Sequence, residues 1–304
     1  MGGRLAAGLL QSGRSVRLGT SRTNPAVPHV LRSADLRTID LNVASSLRAA
    51  VRGSNTIIHL AALNADECAL DPVRALLVNT LGTLHLVRAA LDENVGRIIY
   101  FSTAHVYGAP LSGEVDELSV PRPAHPYAIT HRSAEDYVLQ ASDLGRLSGT
   151  ILRLSNGVGP PVSVDADCWK LITNDLSRQI VETNEIMLRS SGRQQRNFVA
   201  IADIVTFVER IIDSKQNEFK GQIINLGGPK SFTILELAQL IRDRSRAVLG
   251  RRPKLIVPEF AHNGHGIGLN FRIEKARRLG FSPSVDIESE IDATLMMCRE
   301  HFSK

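Results

Sequence analysis

The residues whose types and spacing most suggest chemistry are two hydroxyls that end an apolar segment and a tyrosine further along the chain. Ile98 to Phe101 is followed directly by Ser102 and Thr103, and Tyr127 opens a stretch of helical character. Hydroxyl and phenol groups donate and accept hydrogen bonds, and a phenol can also transfer its proton. If the apolar segment is a strand of a parallel sheet, these groups lie at its carboxyl edge, where such sheets bind ligands. The pattern indicates proton transfer on a bound small molecule.

The elements that must position these groups alternate between strands and helices, which predicts βαβ units around a parallel sheet. Periodic apolar residues predict strands at 15–18, 56–60, 97–101, 149–154 and 222–226, and helices at 2–13, 47–51, 73–91, 127–139, 201–212, 234–249 and after Asp286. Gly13 is a plausible cap of the first helix. Glycines and prolines at 157–161 and the weak pattern of 162–185 predict loops.

The chain opens on Met1-Gly2-Gly3 and runs directly into the first predicted helix. A doubly wound dinucleotide fold begins with a strand and a glycine-rich turn, and the pyrophosphate then lies on the helix N-terminus. We interpret Gly2 as the end of that turn, with the first strand and the earlier glycines missing, and expect a wrongly assigned start codon. The alternative is a merely flexible glycine pair.

Composition limits the classes of partner. The net charge of +5 and pI near 9.3 fit a well-solvated surface, or attraction of anionic substrates such as diphosphates. Nucleic acid is not expected, because basic runs interleaved with aromatics are absent. Three separated cysteines indicate a reducing cytoplasm, and no apolar run approaches the roughly 20 residues of a membrane span. We see no secretion signal, so a cytoplasmic location is expected.

Nine segments occur in the order of one known family: Asp40-Leu41, Ile57–Ala62, Asn79–Thr83, Ser102–Gly108, Tyr127, Ile151–Asn156, Arg196–Val199, Asn225–Gly228 and Lys275–Phe281. Through them, from Gly2 to about residue 295, the chain resembles the extended short-chain dehydrogenase/reductase family of nucleotide-sugar epimerases, dehydratases and reductases. The resemblance implies a doubly wound parallel sheet of Rossmann type with a smaller C-terminal α/β region. Residues 1–158 with 200–226 would bind the dinucleotide, and 159–199 with 227–304 the substrate.

The resemblance also implies roles for the residues described first. Tyr127 would be the acid/base for a sugar hydroxyl, and Thr103 would hydrogen-bond the substrate oxygen and the phenol. His131 stands where the family has lysine, so Thr103, Tyr127 and His131 form the predicted catalytic set. A protonated imidazole could replace the lysine charge, or His131 could only hydrogen-bond a ribose, or it could be an ordinary helix residue. Arg132 lies about 100° around the helix and is a poor substitute.

The same resemblance implies NADP or NAD as cofactor. Its predicted binding residues are Gly2, Arg22, Asp40, Leu41, Leu60, Ala61, Ala62, Asn79, Ser102, Tyr127 and His131. Arg22, with no acid beside it after the second strand, favours NADP, since an acid there usually selects NAD. The alternative is that Arg22 is a solvated loop charge.

Thr103, Asn156 and Arg196 are the predicted substrate residues, because a guanidinium is a planar ligand for a diphosphate. Alternatively, Thr103 only caps the end of a strand, Asn156 caps a loop, and Arg196 is a surface charge. Dehydratases of the family carry an Asp-Glu pair where this chain has Ala104-His105, so water elimination is disfavoured. We expect no metal site, and read His262–Gly266 as a glycine-rich loop.

The expected function is an NAD(P)-dependent epimerase or 4-ketoreductase acting on a nucleotide sugar. The alternative is a catalytically weakened homologue that binds a nucleotide or nucleotide sugar, owing to His131 and the missing turn. The resemblance further implies a homodimer formed through the helices at 73–91 and 127–139.

Overall fold

A computed structural model describes residues 1–215, 217–258, 268–284 and 286–303. The strands are β1 (Arg17–Thr20), β2 (Asp35–Thr38), β3 (Thr56–His59), β4 (Arg97–Thr103), β5 (Gly113–Val115), β6 (Ser148–Leu154), β7 (Asn156–Val158), β8 (Glu185–Met187), β9 (Gln195–Ala200), β10 (Gln222–Leu226), β11 (Ser231–Thr233), β12 (Lys254–Ile256) and β13 (Leu269–Phe271). The α-helices are α1 (Gly2–Gln11), α2 (Ala44–Val51), α3 (Ala65–Leu70), α4 (Pro72–Ala75), α5 (Gly82–Asp92), α6 (Pro126–Asp143), α7 (Ile172–Thr183), α8 (Ile201–Asp213), α9 (Ile234–Leu249), α10 (Glu274–Arg278) and α11 (Ile287–Phe302).

The main sheet has the strand order β10-β6-β4-β3, and all of its strands are parallel. Its central strand β4 is buried along its whole length, as expected for a sheet covered on both faces. One face packs against α2, α5 and α6, and the other against α1 and α8. The predicted α/β class with a parallel sheet is confirmed.

Strands β1 and β2 form a separate parallel pair. Among the described strands, β1 pairs with β2 alone and β3 with β4 alone, so no described strand connects the two sheets. Ile57 and Ile58 are apolar and lie in the middle of β3, but they are only partly buried. The parallel β1–β2 pair and the main sheet are therefore separate among the described strands.

A second sheet has the strand order β11-β9-β7, in which β11 runs antiparallel to β9 and β7 runs parallel to it. Its core joins α7, α9 and α11. The expectation of a loop over 162–185 is wrong, because this stretch contains α7, in which Leu176 and Ile180 are buried one turn apart. Strand β7 also overlaps the stretch at 157–161 for which the sequence predicts a loop. The division of the chain into two binding regions stays a prediction.

Two further elements differ from expectation. The single helix predicted over 73–91 is α4, a π-helical segment at Leu76–Leu81 and then α5. Strand β2 was missed because it is exposed throughout and has little apolar signal. Within the described residues, no helix is both long and apolar enough to cross a bilayer. His262–Gly266 lies outside the described residues.

Candidate active site

Thr103 and Tyr127 meet at the carboxyl end of β4. Thr103 is buried, and its hydroxyl also accepts a hydrogen bond from the backbone of His105 at 3.2 Å. Helix α6 begins beside it because Pro126 occupies the first turn and His125 Nδ1 accepts from Tyr127 N at 3.2 Å. The side chain of Thr103 lies near enough to the Tyr127 phenol to act on its pKa. The structure therefore brings together the two residues predicted to handle the proton.

The phenol of Tyr127 is held in its protonated form. Burial raises its pKa to about 12, and the side chain of Thr103 acts in the opposite direction with a smaller effect. At pH 7 only about one molecule in 10⁵ would carry a phenolate at this pKa. The arrangement thus favours Tyr127 as a proton donor over a proton acceptor.

His131 lies one helical turn beyond Tyr127, and the two rings contact each other edge-on with centroids 4.5 Å apart. Its Nδ1 is 2.7 Å from the hydroxyl of Tyr100, and burial lowers the pKa of the imidazole to about 4. With this pKa the ring is neutral at pH 7, so burial disfavours the alternative in which a protonated imidazole replaces the lysine charge. Arg132 does not supply that charge either, because it pairs with Glu135 and Asp136.

A buried ion pair that sequence reasoning missed lies under this site. Glu135, fully buried on α6, accepts from Arg153 at 3.0 and 2.7 Å and from Ser102 Oγ at 2.5 Å. The hydroxyl of Ser102 is therefore committed to Glu135. A signal was available, because Arg153 interrupts an apolar strand and must find a partner when buried. Tyr127, His131 and Glu135 also share one helix face at four-residue spacing.

The buried histidines His131 and His59 should make the protein sensitive to acid. Burial lowers the pKa of both to about 4; His131 lowers the pKa of His59 further, whereas the carboxylate of Glu135 opposes the shift at His131. The titratable groups that face them are Tyr100, Tyr127 and the carboxylate of Glu135. Because the unfolded chain binds protons near pH 6.5, stability is fully present above that pH and is lost as the pH falls toward 4.

We expect each histidine to lower the free energy of unfolding by roughly 2 kcal/mol between pH 7.5 and 5. Denaturant titrations at the two pH values measure this difference. His131→Gln should remove about half of the histidine contribution, while His301→Asn, an exposed control, should leave it intact. Equal pH dependence in the wild type and His131→Gln would contradict the buried neutral ring.

The N-terminus of α1 and the loop after β3 form the predicted cofactor side. Helix α1 has no side-chain cap, so its first N–H groups at Gly2 and Gly3 are free to meet an anion. Gly3 and the exposed Arg22 line the same cavity, beside Ser163 and Ala166. Leu60 is partly buried, whereas Ala61 and Ala62 are exposed. Small residues, a free helix end and a cation suit a dinucleotide pyrophosphate.

Other predicted cofactor residues have partners within the protein. Asn79 Oδ1 accepts from Leu63 N at 2.7 Å, and its Nδ2 donates to Thr130 at 3.0 Å. Asn79 therefore holds the loop after β3 in place and has little hydrogen-bonding capacity left for a ligand. Exposed Asp40 accepts from Asn42 N at 2.8 Å, while Leu41 packs against Gly82. Their cofactor contacts stay predictions.

The predicted substrate side carries the positive charge of Arg196. Arg196 is half-buried, and burial alone lowers its pKa, with no opposing carboxylate among the described residues. Burial lowers the pKa of His105, and the charges of Arg196 and His125 lower it further. Asn156 Nδ2 donates one of its two N–H groups to the Asn197 carbonyl at 2.8 Å. Sequence reasoning overlooked His125, whose position before Pro-Tyr marks it as the helix cap.

Together, the parallel sheet, the free helix N-terminus and the threonine–tyrosine pair define an α/β protein of the dinucleotide-binding class. The chain belongs to the NAD dependent epimerase/dehydratase family, whose model matches residues 1–227. The predicted resemblance is therefore confirmed, and so is a nicotinamide cofactor as a property of the family.

Named relatives fall into the same group. The chain is 30% identical over 253 residues to dTDP-D-glucose 4,6-dehydratase of Mus musculus, covering 81% of this chain and 68% of that protein. It is 25% identical over 270 residues to a putative UDP-glucose 4-epimerase of Methanocaldococcus jannaschii, covering 88% and 83%. The solved structure of MoeE5 with UDP-glucose and NAD superposes with a TM-score of 0.79 at 25% identity, covering 99% and 96%. These matches support an enzyme of the epimerase/dehydratase class.

Proposed function

We propose that this protein is an NAD(P)-dependent epimerase or 4-ketoreductase of a nucleotide-activated sugar. The observation that carries the proposal is the neighbouring position of Thr103, which ends β4, and of Tyr127 in the first turn of α6. Tyr127 transfers the proton of the sugar hydroxyl, and Thr103 orients both the phenol and the substrate oxygen. Positioned proton transfer of this kind contributes about 10²–10⁴-fold to a rate.

The cofactor is held, in this proposal, by the free N-terminus of α1 and the exposed backbone at Ala61 and Ala62. Arg22 supports NADP over NAD, because a guanidinium pairs well with a ribose phosphate. When bound, the nicotinamide accepts or returns a hydride. His131 Nε2 is buried with no partner among the described residues, so it fits a ribose hydroxyl.

The nucleotide diphosphate is assigned to Arg196, whose charge has no carboxylate partner among the described residues. MoeE5 binds UDP-glucose, and the relatives act on UDP- or dTDP-sugars by name, which supports this substrate class. Although a relative is a dehydratase, Ala104 and His105 provide no carboxylate pair for water elimination. The raised pKa of Tyr127 supports proton donation to a keto sugar, so reduction is the preferred direction.

A homodimer is part of the proposal. Val73, Leu76 and Leu77 are 46–67% exposed, and Ile129 of α6 is 46% exposed. Apolar side chains exposed on both helices that the resemblance assigns to a dimer support that interface.

The neutral His131 favours a second candidate, a binding homologue with little turnover. Without a cation beside it, the phenol of Tyr127 keeps a high pKa. Such a protein would bind the dinucleotide and the nucleotide sugar but exchange no hydride.

The test is a panel of UDP- and dTDP-sugars and their 4-keto forms, incubated with oxidised or reduced NAD and NADP. Product analysis should show a changed C4 centre for at least one sugar. Arg196→Gln should raise the KM for that sugar about 10–100-fold, the usual effect of losing a charged hydrogen bond. The exposed Arg193→Gln should leave KM unchanged. Tight binding without any product would instead favour the binding homologue.

A further inference from the structure

The two ring nitrogens of His131 lie in different surroundings. Nδ1 is 2.7 Å from the hydroxyl of Tyr100, and both side chains are buried, 4% and 2% exposed respectively. Nε2 is also buried but has no hydrogen-bond partner in the part of the chain that the structure describes. A buried polar atom without a partner is costly, so it indicates a group that binds there.

The hydroxyl of Tyr100 decides which nitrogen of His131 carries the proton. This hydroxyl has no other hydrogen bond within the described residues, and burial holds its pKa well above the ordinary value, so it keeps its proton. A phenol with a single neighbour must donate to that neighbour to be satisfied. Nδ1 is then the acceptor, and the neutral ring carries its proton on Nε2.

The protonated nitrogen of the neighbouring His59 follows from its hydrogen-bond partner in the same way. His59 Nε2 lies 2.9 Å from Thr83 Oγ1, whose own hydroxyl donates to the Asn79 carbonyl at 2.6 Å. His59 therefore donates from Nε2. Its ring contacts Tyr100 at 5.3 Å between centroids, on the adjacent strand position. The rings of His59, Tyr100, His131 and Tyr127 form one continuous series under the site, with no carboxylate hydrogen-bonded to either imidazole among the described residues.

We propose that Tyr100 is a positioning residue that fixes His131 in the neutral tautomer protonated at Nε2, so that the ring presents one N–H donor beside Tyr127. This donor stands where the resembling family has a cation. The identity of its acceptor, a ribose hydroxyl of the dinucleotide, rests on the proposed function; the tautomer does not. The site therefore keeps a hydrogen bond to the cofactor and gives up the charge that would lower the pKa of the phenol.

Nitrogen-15 spectra of histidine-labelled protein without cofactor test the proposal directly, because protonated and unprotonated ring nitrogens resonate far apart. The loss of signals in His131→Gln identifies those of His131. We expect the wild type to show one neutral tautomer, with Nε2 protonated and Nδ1 accepting a hydrogen bond, unchanged between about pH 5.5 and 8. Tyr100→Phe should move the Nδ1 signal, and should raise the dissociation constant of NAD(P)H roughly fivefold through a less ordered donor.

Tyr137→Phe, which removes a half-buried phenol from the same helix, is the matched control and should change neither quantity. A wild-type ring protonated at Nδ1, or doubly protonated at neutral pH, overturns the proposal, and so does an Nδ1 signal that Tyr100→Phe leaves in place. If Tyr100→Phe does not fold, the wild-type spectrum alone decides. The predicted tautomer in a protein that binds no dinucleotide would refute the proposed function and leave the role of Tyr100 standing.

Discussion

Replacing Tyr127 with phenylalanine is expected to lower turnover of the nucleotide sugar by about 10²–10⁴-fold, the usual contribution of a positioned proton donor or acceptor. The change removes the phenol hydroxyl on which Thr103 acts and keeps the ring, whose centroid lies 4.5 Å from that of His131. Cofactor and nucleotide binding should therefore change little. Steady-state kinetics combined with calorimetric binding separates the two effects.

Tyr137→Phe serves again as the control, because it removes a phenol from α6 outside the site. Thr103→Val should lower kcat in the same direction as Tyr127→Phe while preserving the buried volume. An unaltered kcat in Tyr127→Phe would remove the phenol from the chemistry and would leave the fold assignment intact.

Replacing Glu135 with glutamine is expected to lower the free energy of unfolding by about 3–5 kcal/mol, the range measured when one partner of a buried ion pair is removed. Arg153 is 1% exposed, and its guanidinium has Glu135 as its carboxylate partner at 2.7 Å. Glutamine keeps the volume but leaves that charge unbalanced. Denaturant unfolding of the purified variant measures the loss.

The exposed neighbour Asp136 provides a matched comparison, since it pairs with Arg132 at 2.8 Å on the same helix. Asp136→Asn should cost less than about 1 kcal/mol, as surface ion pairs do. Equal losses in the two variants would contradict the view that the Glu135–Arg153 pair is a buried structural element. The double change Glu135→Leu with Arg153→Met should recover much of the stability, because it leaves no unpaired charge.

The strands and helices of the main sheet were predictable because their apolar residues repeat with the period of the element they form. β4 contains the apolar run Ile98–Phe101, most residues of β10 are apolar, and α9 begins and ends where the sequence places it. α7 was missed because polar residues separate its buried Leu176 and Ile180, and β2 because its side chains are exposed. Such elements are determined by neighbours that are distant in sequence.

Some residues of the candidate site were predictable from the sequence, and the contacts between them were not. The motif order identified Thr103 and Tyr127, but nothing local in sequence shows that Tyr100 reaches His131 or that Ser102 reaches Glu135. These contacts arise because residues two apart on a strand and four apart on a helix have similar separations, about 6.6 and 6 Å. The neutral state of His131 likewise depends on burial by β3, β4 and α6, which a residue pattern cannot show.

The most direct test of the central claim follows a deuterium label from C4 of a nucleotide sugar, or from reduced nicotinamide, during a single turnover. The account predicts that the label crosses between sugar and nicotinamide in the wild type and that the rate falls sharply in Tyr127→Phe. Stable binding of both ligands with no label exchange, even in His131→Lys, would contradict it.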